Sequence, residues 1–123
     1  METSKRIILA ITGASGAVYG LRALGALNSL GYETHLVISP VGARVIEAET
    51  GMTAEQVLTM ADVVHQPGDL SAPIASGSFH TNGMLIVPCS IKTLSGVANY
   101  YAILLQDINP NYYSKELPPI QLA

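Results

Sequence analysis

An apolar run that breaks into a glycine-rich turn constrains the fold of this chain more than any other feature of the sequence. Residues 6–12, RIILAIT, are short, apolar and bounded by Gly13, a pattern that predicts a fully buried β-strand. From residue 15 onward, apolar side chains recur every three residues, which is typical of a helix lying on a sheet. These side chains are Val18, Leu21, Leu24 and Leu27. A strand, a turn and a helix in this order favour an α/β fold.

The rest of the chain repeats this alternation of strands and helices. Further strands are predicted over residues 33–39 and 84–88, and further helices over residues 40–48, over residues 53–61 and from residue 90. Residues 66–83 are rich in Gly, Ser and Pro and predict a long loop, which in a compact domain is usually functional or disordered. The order of the elements implies a parallel sheet with right-handed crossovers.

The end of the chain differs in character. Residues 107–123 contain three prolines, two asparagines and no apolar periodicity. We therefore predict one domain over residues 1–105 and a divergent tail over residues 106–123. Since three clear strands are few for a doubly wound sheet, the C-terminal part of the fold is expected to be incomplete.

Composition limits the partners of this protein. Apolar residues make up 49% and charged residues 12% of the chain, so we expect neighbouring subunits to cover much of its exterior. The net charge is −3 and the six basic residues are scattered, so neither nucleic acid nor a membrane is expected as a partner. The single cysteine, Cys89, excludes an intrachain disulfide and fits a cytoplasmic location. Because the three histidines are separated, no zinc-type spacing exists and no metal is expected.

The turn after the first strand, ITGASGAVYG (11–20), is a candidate phosphate site. Unpaired N–H groups and a partial positive charge at a helix N-terminus attract an anion, and glycines let the backbone approach it closely. The dinucleotide fingerprint does not fit, because Ala14 and Ser15 separate the first two glycines. Ser39 ends the second strand where a dinucleotide site usually has an acid, which favours a mononucleotide phosphate or a flavin. A purely structural turn is the alternative interpretation.

A second strand-to-helix turn, PCSIKTLSG (88–96), repeats this pattern with hydroxyl side chains at Ser90 and Thr93. Because the carboxyl ends of parallel strands meet at one edge of a sheet, both turns are expected at the same edge, where such folds bind ligands. Helix capping is the alternative role of Ser90. Cys89 is expected to be a small buried apolar residue.

Other titratable side chains receive no role from the residue pattern alone. Glu47 and Glu49 lie two positions apart on a predicted helix and point in different directions, so they do not form an acid–base pair. His35, His65 and His80 are dispersed, and a histidine in such a place is more often structural than catalytic.

Five segments, in order, closely resemble one family, the flavin prenyltransferases, earlier described as small subunits of aromatic-acid decarboxylases. They are ITGASGAVYG (11–20), ETHLVISPVGA (33–43), IEAET (46–50), APIASGSF (72–79) and MLIVPCSIKTLSG (84–96). The resemblance implies a flavodoxin-like Rossmann fold, a three-layer sandwich with a parallel sheet, and a homo-oligomer, a dodecamer with FMN at subunit interfaces. It also implies metal-free transfer of a dimethylallyl group from dimethylallyl monophosphate to reduced FMN. The prenylated FMN would then pass to a partner decarboxylase.

The resemblance also implies roles for individual residues. Ser15 and Glu49 would act in catalysis, with Glu49 near the prenyl phosphate and managing protons. Lys115 would bind the substrate. The FMN-binding residues would be Gly13, Ala14, Ser15, Ser39, Ser90, Ile91, Lys92 and Thr93.

The resemblance weakens after Tyr101. Ile108 stands where the family has an arginine, although Lys115 still aligns. The resemblance therefore implies a member of the family that is truncated at its C-terminus, and a non-catalytic FMN-binding or assembly subunit is the alternative. A flavin-containing cysteine decarboxylase of the phosphopantothenoylcysteine type is disfavoured, because SAPIASGS (71–78) lacks the histidine of that group and PCSIK (88–92) lacks its asparagine.

Overall fold

A parallel β-sheet of five strands organises this chain in the computed structural model, which describes residues 5–67, 80–98 and 120–122. The strands are β1 (Arg6–Ile11), β2 (Glu33–Ile38), β3 (Val63–His65), β4 (Met84–Ile86) and β5 (Ile120–Leu122). The helices are α1 (Ala17–Ser29), α2 (Pro40–Thr50), α3 (Ala54–Leu58) and α4 (Ile91–Ala98). The order β2–β1–β4–β5 is that of a flavodoxin-like sheet, with β3 added outside β2. The predicted α/β fold with a parallel sheet is therefore confirmed.

The core lies between one face of the sheet and three helices. Alternate strand residues point to this face, as the two-residue period of a strand requires, and they are Leu9, Ile11, Leu36 and Ile38. They pack with Leu24 of α1, Ile46 of α2 and Val57 of α3. Ile8 and Val37 point to the opposite face and are also completely buried. Burial on both faces explains why the sequence of β1 is a continuous apolar run.

The structure adds two strands to the three that the sequence predicts. β3 has three residues, and the succession of half-buried Val63, exposed Val64 and buried His65 is too short to show a period. β5 lies within the stretch predicted as a divergent tail and pairs with β4 from Ile120 to Leu122. Both strands are short and are defined by pairing with a neighbouring strand, so neither has a local sequence signal.

Several element boundaries differ from the prediction. β1 and β2 each end one residue early, and α3 spans Ala54–Leu58 rather than residues 53–61. α2 continues past Ala48 to Thr50 and ends at Gly51, whose φ of 75° is typical of the residue that stops a helix. β4 ends at Ile86 rather than at Pro88. The residues after β4 still hydrogen-bond to the end of β1, and these contacts belong to the candidate site.

Candidate functional site

The carboxyl ends of three neighbouring strands, β2, β1 and β4, lie level with one another. Ile11 at the end of β1 pairs with Ile38 at the end of β2, and Ala10 pairs with Ile86 at the end of β4. The backbone N–H of Ser39 donates to the Ile11 carbonyl at 3.0 Å. Because the chain leaves β1 towards β2 on one side and returns to β4 on the other, this edge is the topological switch point, where open α/β sheets bind ligands.

Structural requirements explain two glycines of the turn after β1. A Cβ atom on Gly13 would lie 2.6 Å from Cβ of Val41 and still closer to its Cγ1, so only glycine lets α2 pack this closely. Gly16 caps α1 with a φ of 107°, a backbone conformation that favours glycine. Packing and helix capping therefore explain Gly13 and Gly16, so the two glycines alone are not evidence of a ligand site.

Glu49 of α2 caps the N-terminus of α1. Its Oε1 accepts hydrogen bonds from the backbone N–H groups of Gly16 and Ala17, both at 3.0 Å. The bond from Ala17 and then that from Gly16 hold the pKa of Glu49 below its usual value; desolvation opposes this shift, and the Ser15 hydroxyl adds to it. Glu49 is therefore a carboxylate at neutral pH, at the positive end of α1. The structure thus brings together Ser15 and Glu49, the two predicted catalytic residues.

Ser39 caps α2 at the same edge. Its Oγ accepts a hydrogen bond from the N–H of Gly42 at 3.0 Å, and Pro40 occupies the first helical position. A Cβ on Gly42 would lie 2.5 Å from the carbonyl oxygen of Ile11, so α2 begins in direct contact with the end of β1. Ser39 therefore lies at the edge where the sequence places it and fixes the start of α2.

Ser90 begins α4 in a similar way. Its Oγ accepts a hydrogen bond from the N–H of Thr93 at 3.1 Å and lies 2.9 Å from the Thr93 hydroxyl. Thr93 is buried, whereas Ile91 and Lys92 are exposed. Cys89 is half-buried, and burial raises the pKa of its thiol, so the thiol is protonated at neutral pH. Ser90 therefore caps α4, which is the alternative role considered for it. The side chains of Ile91 and Lys92 face solvent in the first turn of the same helix.

A buried threonine that sequence reasoning missed connects two of these turns. Oγ1 of Thr12 donates to the Pro88 carbonyl at 2.6 Å and accepts a hydrogen bond from the Ser90 N–H at 2.8 Å. Thr12 is 1% exposed. At the end of an apolar run, a β-branched residue is typical of a strand, and the two partners lie 76 and 78 positions away. No local pattern therefore distinguishes Thr12 from an ordinary strand residue.

Three helix N-termini open at this edge, because α1, α2 and α4 follow β1, β2 and β4. The carboxylate of Glu49 caps α1, whereas neutral hydroxyls cap α2 and α4. The partial positive charges of α2 and α4, together with the ammonium group of Lys92, favour an anion. A phosphate group suits such a site, because backbone N–H groups and hydroxyls supply the hydrogen bonds that its oxygens accept.

Several sequence predictions fall outside the described residues, namely those on Lys115, on Ile108 and on the loop segment 72–79. Within the described ranges, no group of three His, Cys, Asp or Glu side chains is arranged to hold a metal ion. None of the helices in that part of the chain combines the length and the apolar character needed to cross a membrane.

His35 of β2 and His65 of β3 form a buried contact that the sequence does not reveal. Nδ1 of His35 lies 2.9 Å from Nε2 of His65, and the two rings are stacked. Nε2 of His35 lies 2.7 Å from Oε1 of Glu33. Thirty positions separate the two histidines, so only the pairing of β2 with β3 brings them together.

Comparisons with known proteins agree with this fold. The model of the flavoprotein family matches residues 1–100. The flavin prenyltransferase UbiX of Escherichia coli K12 is 44% identical over 120 residues, which cover 97% of this chain and 64% of that protein. The chain spans about half to two thirds of the length of the curated relatives that it matches.

Two solved structures share the fold. The crystal structure of AnUbiX (PadA1) in complex with FMN and dimethylallyl pyrophosphate has a TM-score of 0.79 and 43% identity, over 81% of this chain and 53% of that one. A dodecameric FMN-dependent UbiX-like decarboxylase from Escherichia coli O157:H7 has a TM-score of 0.76 and 46% identity, over 79% of this chain and 54% of that one. The resemblance to flavin prenyltransferases is thereby confirmed. With a family match that extends over residues 1–100, the chain belongs to the flavoprotein family.

Proposed function

We propose that this chain acts as a flavin prenyltransferase, which transfers a dimethylallyl group from dimethylallyl monophosphate to reduced FMN. The observation that carries the proposal is the convergence of the N-termini of α1, α2 and α4 at the switch-point edge. The activity for which the E. coli relative is named supports it, as does the neighbour solved with FMN and dimethylallyl pyrophosphate.

The donor groups at this edge suit FMN. Backbone N–H groups and hydroxyls are neutral donors and Lys92 is a cation, a combination that fits a phosphate monoester and the oxygen atoms of a flavin ring. The residues that we assign to FMN are Gly13, Ala14, Ser15, Ser39, Ser90, Ile91, Lys92 and Thr93. Ile91, which is 86% exposed, offers an apolar side chain for the ring. When bound, reduced FMN supplies the nucleophilic atoms to which the prenyl group becomes joined.

Ser15 and Glu49 are proposed to act at the reacting centre. Glu49 is a carboxylate at neutral pH, so it accepts protons and hydrogen bonds rather than donating them. The carboxylate of Glu49 accepts hydrogen bonds, and the Ser15 hydroxyl beside it both donates and accepts them. This pair of groups fits a role in moving protons. The bonds to Gly16 and Ala17 orient the carboxylate.

Lys115 is proposed to bind the phosphate of the prenyl substrate. An ammonium group compensates the charge that develops on a leaving phosphate, and together with N–H and hydroxyl donors it replaces a metal ion in this role. The similarity to the E. coli relative extends over 97% of the chain and so reaches the tail that holds Lys115.

Further copies of this chain and a decarboxylase are the proposed partners, in the cytoplasm. The dodecameric neighbour and the exposed apolar side chains support a homo-oligomer. Tyr19, at 68% exposure, and Ile91 are the proposed subunit contacts. A decarboxylase that uses prenylated FMN is the partner expected for the product.

Anaerobic incubation of the purified chain with FMN, a reductant and dimethylallyl monophosphate tests the proposal. Mass spectrometry of the extracted flavin is expected to show the mass of prenylated FMN. Saturable FMN binding without this product would instead support a non-catalytic FMN-binding subunit. Absence of FMN binding would overturn both.

A further inference from the structure

The turn after β4 is tied to the end of β1 mainly by one residue. The hydroxyl of Thr12 has a single proton, which it donates to the Pro88 carbonyl, and its oxygen accepts the N–H of Ser90. The backbone N–H of Thr12 also donates to the Pro88 carbonyl, at 3.2 Å. The backbone and the side chain of Thr12 therefore hold Pro88 and Ser90, the two residues on either side of Cys89.

Strand pairing alone does not reach this far. The β1–β4 ladder ends where Ala10 pairs with Ile86. Two further backbone bonds follow, from the N–H of Val87 to the Ala10 carbonyl at 2.9 Å and from the N–H of Thr12 to the Pro88 carbonyl at 3.2 Å. Ser90 lies beyond these bonds, and its backbone N–H is held by the Thr12 hydroxyl. The start of α4 is therefore located relative to β1 by a side chain.

The two ends of this link are the two turns that carry most of the proposed FMN contacts. On one side Thr12 is bonded covalently to Gly13, the first residue of the turn before α1. On the other side the anchored Ser90 accepts the N–H of Thr93 and so sets the first turn of α4. A ligand that contacts both turns binds well only when their separation is correct.

We infer that Thr12 is a positioning residue, which sets the distance between the turn at Gly13–Ser15 and the turn at Ser90–Thr93 and thereby the affinity for FMN. The inference rests on the proposed function. Since the Thr12 hydroxyl is engaged by the Pro88 carbonyl and the Ser90 N–H, it acts through the turn after β4 and not by touching the ligand. Its hydroxyl, rather than its volume, is the property that matters.

Four variants test whether the hydroxyl of Thr12, and not the volume of its side chain, is needed for FMN binding. Thr12→Val keeps the volume and loses the hydroxyl, while Thr12→Ser keeps the hydroxyl and loses the methyl group. If Thr12→Val does not fold, Thr12→Ala serves as the variant without a hydroxyl and is compared with Thr12→Ser. Thr34→Val is the matched control, because Thr34 is also fully buried and hydrogen-bonded, to Asp62 at the opposite, amino-terminal end of β2.

FMN affinity and the absorption spectrum of bound FMN are the readouts, with circular dichroism to establish folding. Thr12→Val is expected to weaken FMN binding by about tenfold and to shift the bound spectrum towards that of the unbound flavin. Thr12→Ser is expected to restore the wild-type FMN affinity and spectrum. Thr34→Val is expected to lower thermal stability without changing the FMN affinity or the spectrum. Wild-type affinity and spectrum in Thr12→Val, failure of Thr12→Ser to restore them, or an equal loss in Thr34→Val would overturn the inference alone. Absence of FMN binding by the wild type would overturn the proposed function with it.

Discussion

The carboxylate of Glu49 lies 3.0 Å from the backbone nitrogen of Ala17, so a side chain of α2 caps the first turn of α1. The other two helices at this edge begin with neutral caps, the hydroxyls of Ser39 and Ser90. The protein thus places its own negative charge at one of three neighbouring helix N-termini. The charge and the position of this cap are both open to direct tests.

Replacing Glu49 with Gln tests the charge of the cap. Gln keeps a carbonyl acceptor but loses the favourable interaction with the positive end of α1, so the variant is expected to unfold at a lower urea concentration at neutral pH. Because the pKa of Glu49 is lower in the folded state than in the unfolded state, its contribution is present above the unfolded pKa and is lost as pH falls through the folded pKa.

The stabilities of wild type and Glu49→Gln are therefore expected to converge in acid. Urea titrations of both proteins across this pH range measure the difference. Equal stability at neutral pH, or a difference that grows as pH falls, would contradict the assignment of Glu49 as a charged cap.

Replacing Gly13 with Ala tests the close packing of α2 on the first turn. The added Cβ would overlap Val41, so the free energy of unfolding is expected to fall by about 1–3 kcal/mol. Gly25→Ala is the control, because a Cβ there meets no atom within 4 Å in the interior of α1, and it is expected to stabilise by about 0.5–1 kcal/mol. Thermal unfolding of both variants measures the effect, and similar melting temperatures would show that Gly13 is not constrained by Val41.

Two substitutions of Ser90 separate helix capping from ligand binding. Ser90→Ala removes the cap of α4 and is expected to cost about 1 kcal/mol of stability. Ser90→Asp keeps an acceptor for the Thr93 N–H but adds a negative charge, so it is expected to retain stability and to lose FMN affinity. Unfolding curves and FMN titrations of the same samples test both parts. Tight FMN binding by Ser90→Asp would place the flavin phosphate elsewhere.

Replacing Lys115 with Gln tests the proposed contact with the prenyl phosphate. Loss of the ammonium group is expected to raise the KM for dimethylallyl monophosphate, because the substrate dianion loses its cation. The affinity for FMN is expected to remain as in the wild type. Steady-state kinetics with a parallel FMN titration measure the two quantities, and an unchanged KM would remove Lys115 from the substrate site.

Local patterns predict the two strand-to-helix turns well. Each turn is built largely from residues that are adjacent in sequence, the apolar run and Gly13 in the first turn and Pro88 with the hydroxyl residues that follow it in the second. The parallel arrangement then brings both turns to one edge without further information. By the same local logic, Ser90 is recognisable as a cap, whereas the capping role of Ser39 comes from the structure.

Contacts between distant segments are what the sequence hides. Thr12 belongs to an apolar run, and its partners lie beyond residue 87. Glu49 is exposed, as the residue pattern suggests, yet its carboxylate bonds to backbone groups 32 and 33 positions earlier. Its importance emerges from the family resemblance alone. β3 is hidden for the same reason, since pairing with β2, and not its own pattern, defines it.

We propose that the turn at Gly13–Ser15 forms part of an FMN site. Titration of FMN fluorescence with the wild type and with Ser15→Asp tests it most directly, because an added carboxylate repels a phosphate or flavin oxygen at that position. Saturable binding by the wild type that is abolished in a folded Ser15→Asp variant is the predicted result. Equal binding by the two proteins would show that the turn does not contact FMN and has a structural role alone.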